Sequence, residues 1–218
     1  MISGYAKKIG NAIARIGREA YYKRLRKRLK VTNPTIIAND CFGTFVYHNL
    51  GLEFCSPTIN LTIAKNEFIV FVQYLREFLD SELREVADPS VPYPIGELEY
   101  NGIRIQVNFV HYKTFEEAKN KWDERKKRVD YSNIYIIQHI SDPVTAGNIN
   151  SFDHLPYKNK LLIANENITN SKNVVVPKIF QKRKKPQRFG IILEYKPPFF
   201  IRRYMDDIDY VSFLNAGR

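Results

Sequence analysis

Three short apolar runs, separated by segments with helical periodicity, constrain the fold of this 218-residue chain more than any other feature. They are residues Thr35–Ala38, Ile134–Gln138 and Lys160–Ala164. Apolar runs of about four to eight residues that alternate with helices are typical of buried parallel strands. The pattern therefore predicts an α/β fold, in which helices flank a mostly parallel sheet.

A β-hairpin and several helices complete the predicted fold. Asn101-Gly102 stands between the alternating runs 97–100 and 103–109, and Asn-Gly is a strong signal for a two-residue hairpin turn. A final strand is predicted near Gly190–Tyr195, after a basic loop at 182–185. Periodicity and capping residues predict helices over 43–50 before Gly51, over 66–79 with Asn66 as its cap, over 115–128 after Thr114, and around 149–154.

Residues 2–30 are predicted to form a basic amphipathic helix, which ends before Asn33-Pro34 because the residue before proline avoids the helical region. Residues 1–30 hold ten lysines and arginines against one acid, a net charge of +9 out of +11 for the whole chain. We expect residues 1–32 to form this helix and residues 33–218 to form a single α/β domain. The apolar residues of the helix recur at spacings of three and four: Ile2, Tyr5, Ile9, Ile13, Ile16 and Ala20.

Three roles are open to this helix. It can lie on an anionic membrane surface, it can pack its apolar stripe on the rest of the protein, or it can bind the phosphates of a nucleic acid. The rest of the chain is almost neutral, with 24 basic and 22 acidic residues, so no nucleic-acid partner is expected. The cations expected to face a membrane are Lys23, Arg24, Arg26, Lys27 and Arg28.

Composition predicts a cytoplasmic protein, with peripheral binding to the inner face of the plasma membrane left open. The chain has no run of about 18 apolar residues, which a transmembrane helix requires. Its N-terminus lacks the apolar core of a signal peptide. Two cysteines, Cys41 and Cys55, are too few for a disulfide framework.

The loop after the first predicted strand, Asn39–Gly43, is the first candidate for a functional site. In open α/β sheets, ligands bind beyond the carboxyl ends of the strands, where helix N-termini offer amide donors. Asn39, Asp40, Cys41 and Gly43 would lie there. The alternative is a structural turn, in which Asn39 and Asp40 cap the next helix and Cys41 packs inside.

No metal or cofactor is predicted. The four histidines, His48, His111, His139 and His154, lack the spacing of metal ligands, although His111 lies between a strand and a helix and could reach the same sheet edge as Asn39. The sequence Asp206-Asp207-Ile208-Asp209 contains the Asp-x-Asp pattern of many glycosyltransferases, which bind a divalent metal through it. We favour a solvated acidic turn as the interpretation of that pattern. A divalent metal is possible there, but no other feature of the sequence supports one.

Several motifs between Thr35 and Ile163 are similar to those of a bacterial family. They are Asn39–Gly43, Tyr47-His48-Asn49-Leu50-Gly51-Leu52, Ser56-Pro57-Thr58, Tyr93-Pro94-Ile95-Gly96, His111-Tyr112, the pattern Ala118…Trp122…Arg125…Arg128, Phe152-Asp153 and Leu155-Pro156-Tyr157-Lys158. In their order and spacing the chain resembles the domain of unknown function 1919 family, whose members are often labelled exopolysaccharide-biosynthesis proteins. That family typically has Asn-Asn-Cys where this chain has Asn39-Asp40-Cys41.

The resemblance implies an α/β fold and a role in cell-surface carbohydrate assembly. One hypothesis is an enzyme that transfers a glycosyl or related group from an activated or lipid-linked sugar at the inner membrane face. The other is a non-catalytic accessory or glycan-binding protein of the same pathway. For the enzyme, the resemblance implies that Asp40 or His111 acts as base and Cys41 as a nucleophile. It also implies a substrate pocket, formed by Asn39, Gly43, His48, Tyr112 and Trp122. Arg125 and Arg128 would bind a phosphate or an acidic sugar through bidentate contacts.

Overall fold

A computed structural model describes residues 2–181 and 190–217, with side chains from residue 12 onward within those ranges. The strands are β1 (Thr35–Ala38), β2 (Arg84–Val86), β3 (Ile95–Tyr100), β4 (Ile103–Asn108), β5 (Ile134–His139), β6 (Lys160–Ile163) and β7 (Val174–Val175). The helices are α1 (Ile2–Arg28), α2 (Phe42–Leu50), α3 (Lys65–Gln73), α4 (Leu75–Asp80), α5 (Phe115–Lys126), α6 (Ala146–Asp153), α7 (Lys178–Gln181) and α8 (Tyr210–Asn215). The basic run 182–185 lies outside the described residues.

The predicted parallel sheet is confirmed. Four strands pair in the order β1-β5-β6-β7, and every pair is parallel. All six residues of β5 are buried, as expected for a parallel strand with helices on both faces. Side chains alternate along a strand, so Ile134 and Ile136 pack on one face, while Tyr135 and Ile137 pack on the other.

The two faces of this sheet are covered by different parts of the chain. On the first face lie α3, α4, α5 and α6 with the small antiparallel sheet β2-β3-β4, which contributes residues such as Leu98 and Val107. On the second face lie α1, α2, α7 and α8, which contribute residues such as Tyr22, Tyr47 and Leu214. The C-terminal half of α1 is therefore part of the buried core.

The predicted hairpin and most of the predicted caps are confirmed. Asn101 and Gly102 join β3 to β4 with φ angles of 49° and 77°, the left-handed pair that a tight two-residue turn requires. Thr114 caps α5 by accepting a hydrogen bond of 3.2 Å from the Glu117 N–H. Gly51 ends α2 in the left-handed conformation.

Three predicted elements differ from the structure. The segment 66–79 forms two helices that meet at Tyr74, whose φ of −117° is not helical, and the first begins after Ala64 rather than with Asn66 as its cap. The helix predicted at 149–154 begins at Ala146, because Thr145 and Asn148 form a reciprocal capping box. The strand predicted near 190–195 is a 3-10 turn at Ile191–Leu193, since a short buried apolar run is compatible with either structure.

None of the helices in the described part of the chain is long and apolar enough to cross a membrane.

Candidate functional site

A cavity of about 520 Å³ lies at the carboxyl ends of β1 and β5, and we call it the edge cavity. It is the kind of place where open α/β sheets bind ligands. Its wall carries amides, hydroxyls, two carboxylates and one lysine among apolar groups. The lining residues are Asn39, Thr62, Ile63, Ala64, Lys65, Asn66, Glu67, Asn108, His139, Ile140, Ser141 and Asp142.

A second cavity, of about 380 Å³, lies beside the first turn of α6, and we call it the side cavity. It shares Lys65 and Asn66 with the edge cavity, so the start of α3 borders both. Its wall combines amides and hydroxyls with two aliphatic side chains. The lining residues are Lys65, Asn66, Ile69, Val70, Gln138, Thr145, Gly147, Asn148 and Ser151.

Gln138 lines the side cavity and carries an unsatisfied hydrogen-bond acceptor. Its side-chain Nε2 donates to the carbonyl of Lys65 at 2.7 Å. A carbonyl only accepts, so this bond fixes the amide orientation and leaves Oε1 on the other side. Oε1 is buried and has no hydrogen-bond partner among the described residues, and Gln138 is only 1% exposed. A buried acceptor without a partner is costly, and a ligand or water that donates a hydrogen bond removes that cost.

Asn39 lines the edge cavity, as the sequence predicts, and it also joins the ends of two strands. Its Nδ2 donates to the His139 carbonyl at 3.0 Å, and its Oδ1 accepts from the His139 N–H at 2.7 Å. This paired contact continues the parallel ladder of β1 and β5 by one residue. Asn39 therefore shapes the floor of the cavity through the backbone of its neighbour.

Asp40 and His139 form a buried pair on the second face of the sheet. Asp40 Oδ2 lies 2.7 Å from His139 Nδ1, and Asp40 Oδ1 accepts from the Phe42 N–H at 2.8 Å. The imidazole stacks on Phe180 of α7, with ring centroids 6.2 Å apart. Its Nε2 is buried, and no partner for it occurs in the described ranges. In the neutral tautomer that donates the Nδ1 hydrogen to Asp40, Nε2 carries a lone pair.

The sequence identified Asp40 but not its partner. His139 follows Asp40 by 99 residues, and no spacing rule connects them. One feature of the sequence could have identified His139: it ends a strongly apolar strand. In the parallel sheet, the end of that strand lies level with Asp40.

Cys41 and Gly43 have packing roles at the start of α2. Cys41 is buried, and burial together with the neighbouring Asp40 charge raises the pKa of its thiol to about 12. The thiol therefore stays protonated near neutral pH, where it is a poor nucleophile. A Cβ atom added at Gly43 would lie 2.8 Å from the Cβ of Ala38, so glycine allows α2 to approach β1 closely.

Four other predicted site residues meet around Phe54, away from both cavities, and we call them the Phe54 cluster: His48, Tyr112, Arg125 and Arg128. Arg125 Nη1 donates to the Tyr112 hydroxyl at 2.6 Å, and the Arg125 guanidinium lies over the Phe54 ring. Arg128 Nη1 donates to the Phe54 carbonyl at 3.2 Å, and the exposed His48 packs edge-on against the same ring. Both arginines are thus bound to protein groups, which hold the loop between α2 and α3 in place.

Trp122 and His111 lie apart from these groups. Trp122 is 1% exposed and packs in the core between Phe71 and Phe109, so its ring offers no open face to a sugar. His111 is exposed in the connection between β4 and α5 and is not part of the wall of either cavity. The sequence shows an aromatic residue on a helix but does not show whether its side chain is buried. The structure shows that Trp122 has a packing role in the core.

The acidic run near the C-terminus is a structural anchor rather than a solvated turn. Asp206 is buried and accepts from the Arg203 N–H at 2.6 Å and from the Tyr210 hydroxyl at 3.1 Å. Asp207 pairs with Lys196, and Asp209 pairs with Arg28 at 2.7 Å. Within the residues that the structure describes, no group of three or more His, Cys, Asp or Glu side chains is arranged to hold a metal ion.

Comparison with known proteins identifies a family and a relative of this chain. A family model described as Domain of unknown function (DUF1919) matches residues 12–215. An uncharacterized protein from Haemophilus influenzae is 30% identical over 208 residues, which cover 95% of this chain and 97% of that protein. The residues matched by the family model extend from the exposed part of α1 to the end of α8. The chain therefore belongs to the domain of unknown function 1919 family, as its motifs predict.

Proposed function

We propose that this protein binds a sugar-containing ligand in the edge and side cavities and serves in the assembly of a cell-surface polysaccharide. The observation that carries the proposal is the buried, unpaired Oε1 of Gln138, a residue that lines the side cavity. A sugar hydroxyl is a suitable donor for it. The link to polysaccharide assembly comes from the family resemblance, and we place the protein in the cytoplasm at the inner membrane face.

The composition of the cavity walls favours a sugar over other small molecules. Asn66, Asn148 and Ser151 offer both donors and acceptors, as sugar hydroxyls do. Ile69 and Val70 offer an apolar wall for the C–H side of a sugar ring. Both volumes fall within the range of about 300–1,000 Å³ that small-molecule sites occupy.

Nuclear magnetic resonance of the full labelled chain tests this proposal, with methyl α-glucoside, UDP-glucose and UDP-N-acetylglucosamine as probes. We expect a probe to shift the side-chain amide signals of Gln138 and the backbone signals of α6. Gln138→Leu should weaken binding at least about tenfold, because it removes the acceptor that the ligand satisfies. Gln73→Leu, the same change at an exposed position of α3, serves as the matched control.

Gln138→Leu also leaves the Lys65 carbonyl without its donor, so its folding must be checked by thermal unfolding. Ser151→Leu supplies an independent variant, since Ser151 is exposed, and a larger side chain there fills the side cavity without breaking the Gln138 bond. Unchanged binding in a folded Ser151→Leu protein, or shifts confined to the Phe54 cluster, contradict the proposed site.

A second candidate function, group transfer, is favoured by the Asp40–His139 pair. An imidazole oriented by a buried carboxylate, with a free Nε2, is suited to remove a proton from an acceptor hydroxyl. The ring is covered, so the hydroxyl reaches Nε2 only when the site opens, as happens in many enzymes. In this function His139 replaces His111 and Cys41 as the catalytic group.

Turnover assays with the same activated sugars separate the two functions. If the protein is a transferase, His139→Gln should lower the rate by about 10²–10⁴-fold while sugar binding persists. Cys41→Ser and His111→Ala should keep nearly full activity. Binding without turnover for every donor, in the wild-type protein, supports the accessory function instead.

A further inference from the structure

We propose that the exposed face of α1 and the adjacent loop at residues 197–201 form one surface that docks on an anionic lipid bilayer. We call it the docking surface. It lies outside the edge and side cavities, so it is independent of the proposed sugar site.

The structure divides α1 into a packed face and a solvent face. Ala14, Tyr22 and Leu25 are buried against the protein. Ile13 and Ile16 are 62% and 70% exposed, although they belong to the apolar stripe predicted from the sequence. These two large aliphatic side chains, about one turn apart on the same helix, lie mostly in solvent. An apolar stripe of this kind commonly marks an interaction surface.

The solvent face of α1 changes from apolar to basic along the helix. At about 100° per residue, Lys23, Arg24 and Lys27 share the face of Ile13 and Ile16. These three cations are exposed, and none forms an ion pair with another residue in the described part of the chain.

Two of the five cations expected at a membrane have other partners. Arg26 donates to the Asn49 carbonyl at 3.0 Å and pairs with Glu19. Arg28 pairs with Asp209 at 2.7 Å. These contacts tie α1 to the protein, while the remaining three cations stay available for a lipid phosphate.

The loop at 197–201 adds two aromatic side chains beside α1. Phe199 is 74% exposed and Phe200 is 47% exposed. The loop is attached to the helix, because Arg18 Nε donates to the Phe200 carbonyl at 2.7 Å and Ile201 packs against Gly17. The sequence did not single out this loop, since two adjacent phenylalanines normally predict burial.

An anionic bilayer matches both chemical parts of this surface. Exposed isoleucine and phenylalanine side chains can enter the boundary between headgroups and acyl chains, where helices of this type lie. The cations Lys23, Arg24 and Lys27 are complementary to the negative headgroups beside them. A nucleic acid would use the cations but would leave Ile13, Ile16 and Phe199 in water.

Vesicle flotation of the full-length protein tests this proposal. The probes are vesicles of phosphatidylcholine alone and vesicles with one-third phosphatidylglycerol. We expect flotation with the anionic vesicles only, and a loss of flotation as salt concentration rises. Replacing Lys23, Arg24 and Lys27 by glutamine should lower the partition coefficient about fivefold for each cation removed.

Variants of the apolar part complete the test. Ile13→Ser combined with Ile16→Ser, and separately Phe199→Ser, should each lower flotation at least about fivefold, because each removes apolar area from the bilayer. Ile168→Ser, at an isoleucine that is 49% exposed elsewhere, is the matched control and should float like the wild type. Equal flotation of the Ile13/Ile16 variant and the control, or no flotation of the wild type with anionic vesicles, overturns the proposal. Both readouts are independent of sugar binding.

Discussion

Cys41 illustrates how burial decides the chemistry of a single residue. Cys41 is the last residue of the connection from β1 to α2, in the place where an α/β protein often holds a reactive group. However, the thiol is desolvated and lies next to the Asp40 carboxylate, and both effects disfavour the thiolate. The same residue in an open, electropositive loop would be a nucleophile.

Cys41 is therefore expected to be inert in the native protein. We expect Ellman's reagent at pH 8 to leave this thiol unmodified for hours and to react fully after denaturation. Cys55 is also buried, and burial raises the pKa of its thiol as well, so a Cys55→Ser protein isolates the Cys41 signal. Rapid labelling of native Cys55→Ser protein would show an accessible thiolate and restore Cys41 as a nucleophile.

At the scale of elements, α1 is both a core helix and a surface helix. Leu25 and Tyr22 are buried among residues of α2, α8 and the second face of the sheet. Six to twelve residues earlier in the helix, Ile16 and Ile13 face solvent. The helix is therefore fixed at its C-terminal half, and its exposed face remains available for a partner.

This division predicts different effects for two similar substitutions in α1. Leu25→Ala should lower the free energy of unfolding by about 2–4 kcal/mol, because it removes buried apolar volume from the core. Ile16→Ala, at an exposed position of the same helix, should change it by less than about 0.5 kcal/mol. Urea denaturation measures both, and an equally large loss for Ile16→Ala would mean that its side chain is also packed against the protein.

At the scale of the whole molecule, α1 and the C-terminal segment 206–215 pack against each other over the second face of the sheet, and we call this contact the closure. The Tyr22 hydroxyl of α1 donates to Asp206 at 3.3 Å, and Asn215 Nδ2 donates to the Arg28 carbonyl at 2.9 Å. The Tyr135 hydroxyl of β5 donates to the Leu214 carbonyl at 2.8 Å. The buried Asp206 carboxylate lies at the centre of this closure.

The buried Asp206 carboxyl in this closure should make the free energy of unfolding depend on pH. Desolvation raises the pKa of Asp206 above its ordinary value, so the folded state holds this proton more tightly than the unfolded state. The contribution of Asp206 to stability is therefore present at low pH and is lost as pH rises from the ordinary value through the raised one. The difference in unfolding free energy between wild type and Asp206→Asn should shrink over that interval, measured by urea denaturation at several pH values. Parallel profiles would show that the carboxyl is not desolvated.

Local patterns in the sequence determined most elements of this protein, because neighbouring residues carry the information for them. The strands β1, β5 and β6, the Asn101-Gly102 turn and the Thr114 cap each follow from residues adjacent in the chain. Asn39, which the sequence places just beyond the end of β1, lines a cavity there, since strand ends and cavities coincide in this fold class.

Only the tertiary structure decided which faces are buried and which distant side chains meet. Two apolar stripes overlap on α1, and burial selected the one with Tyr22 and Leu25, leaving Ile13 and Ile16 in solvent. Asp40 meets His139, and Gln138 meets the Lys65 backbone, across 99 and 73 residues of chain. The physical reason is that such pairings depend on strand register and helix packing, which arise from contacts distributed over the whole core and not from any short segment.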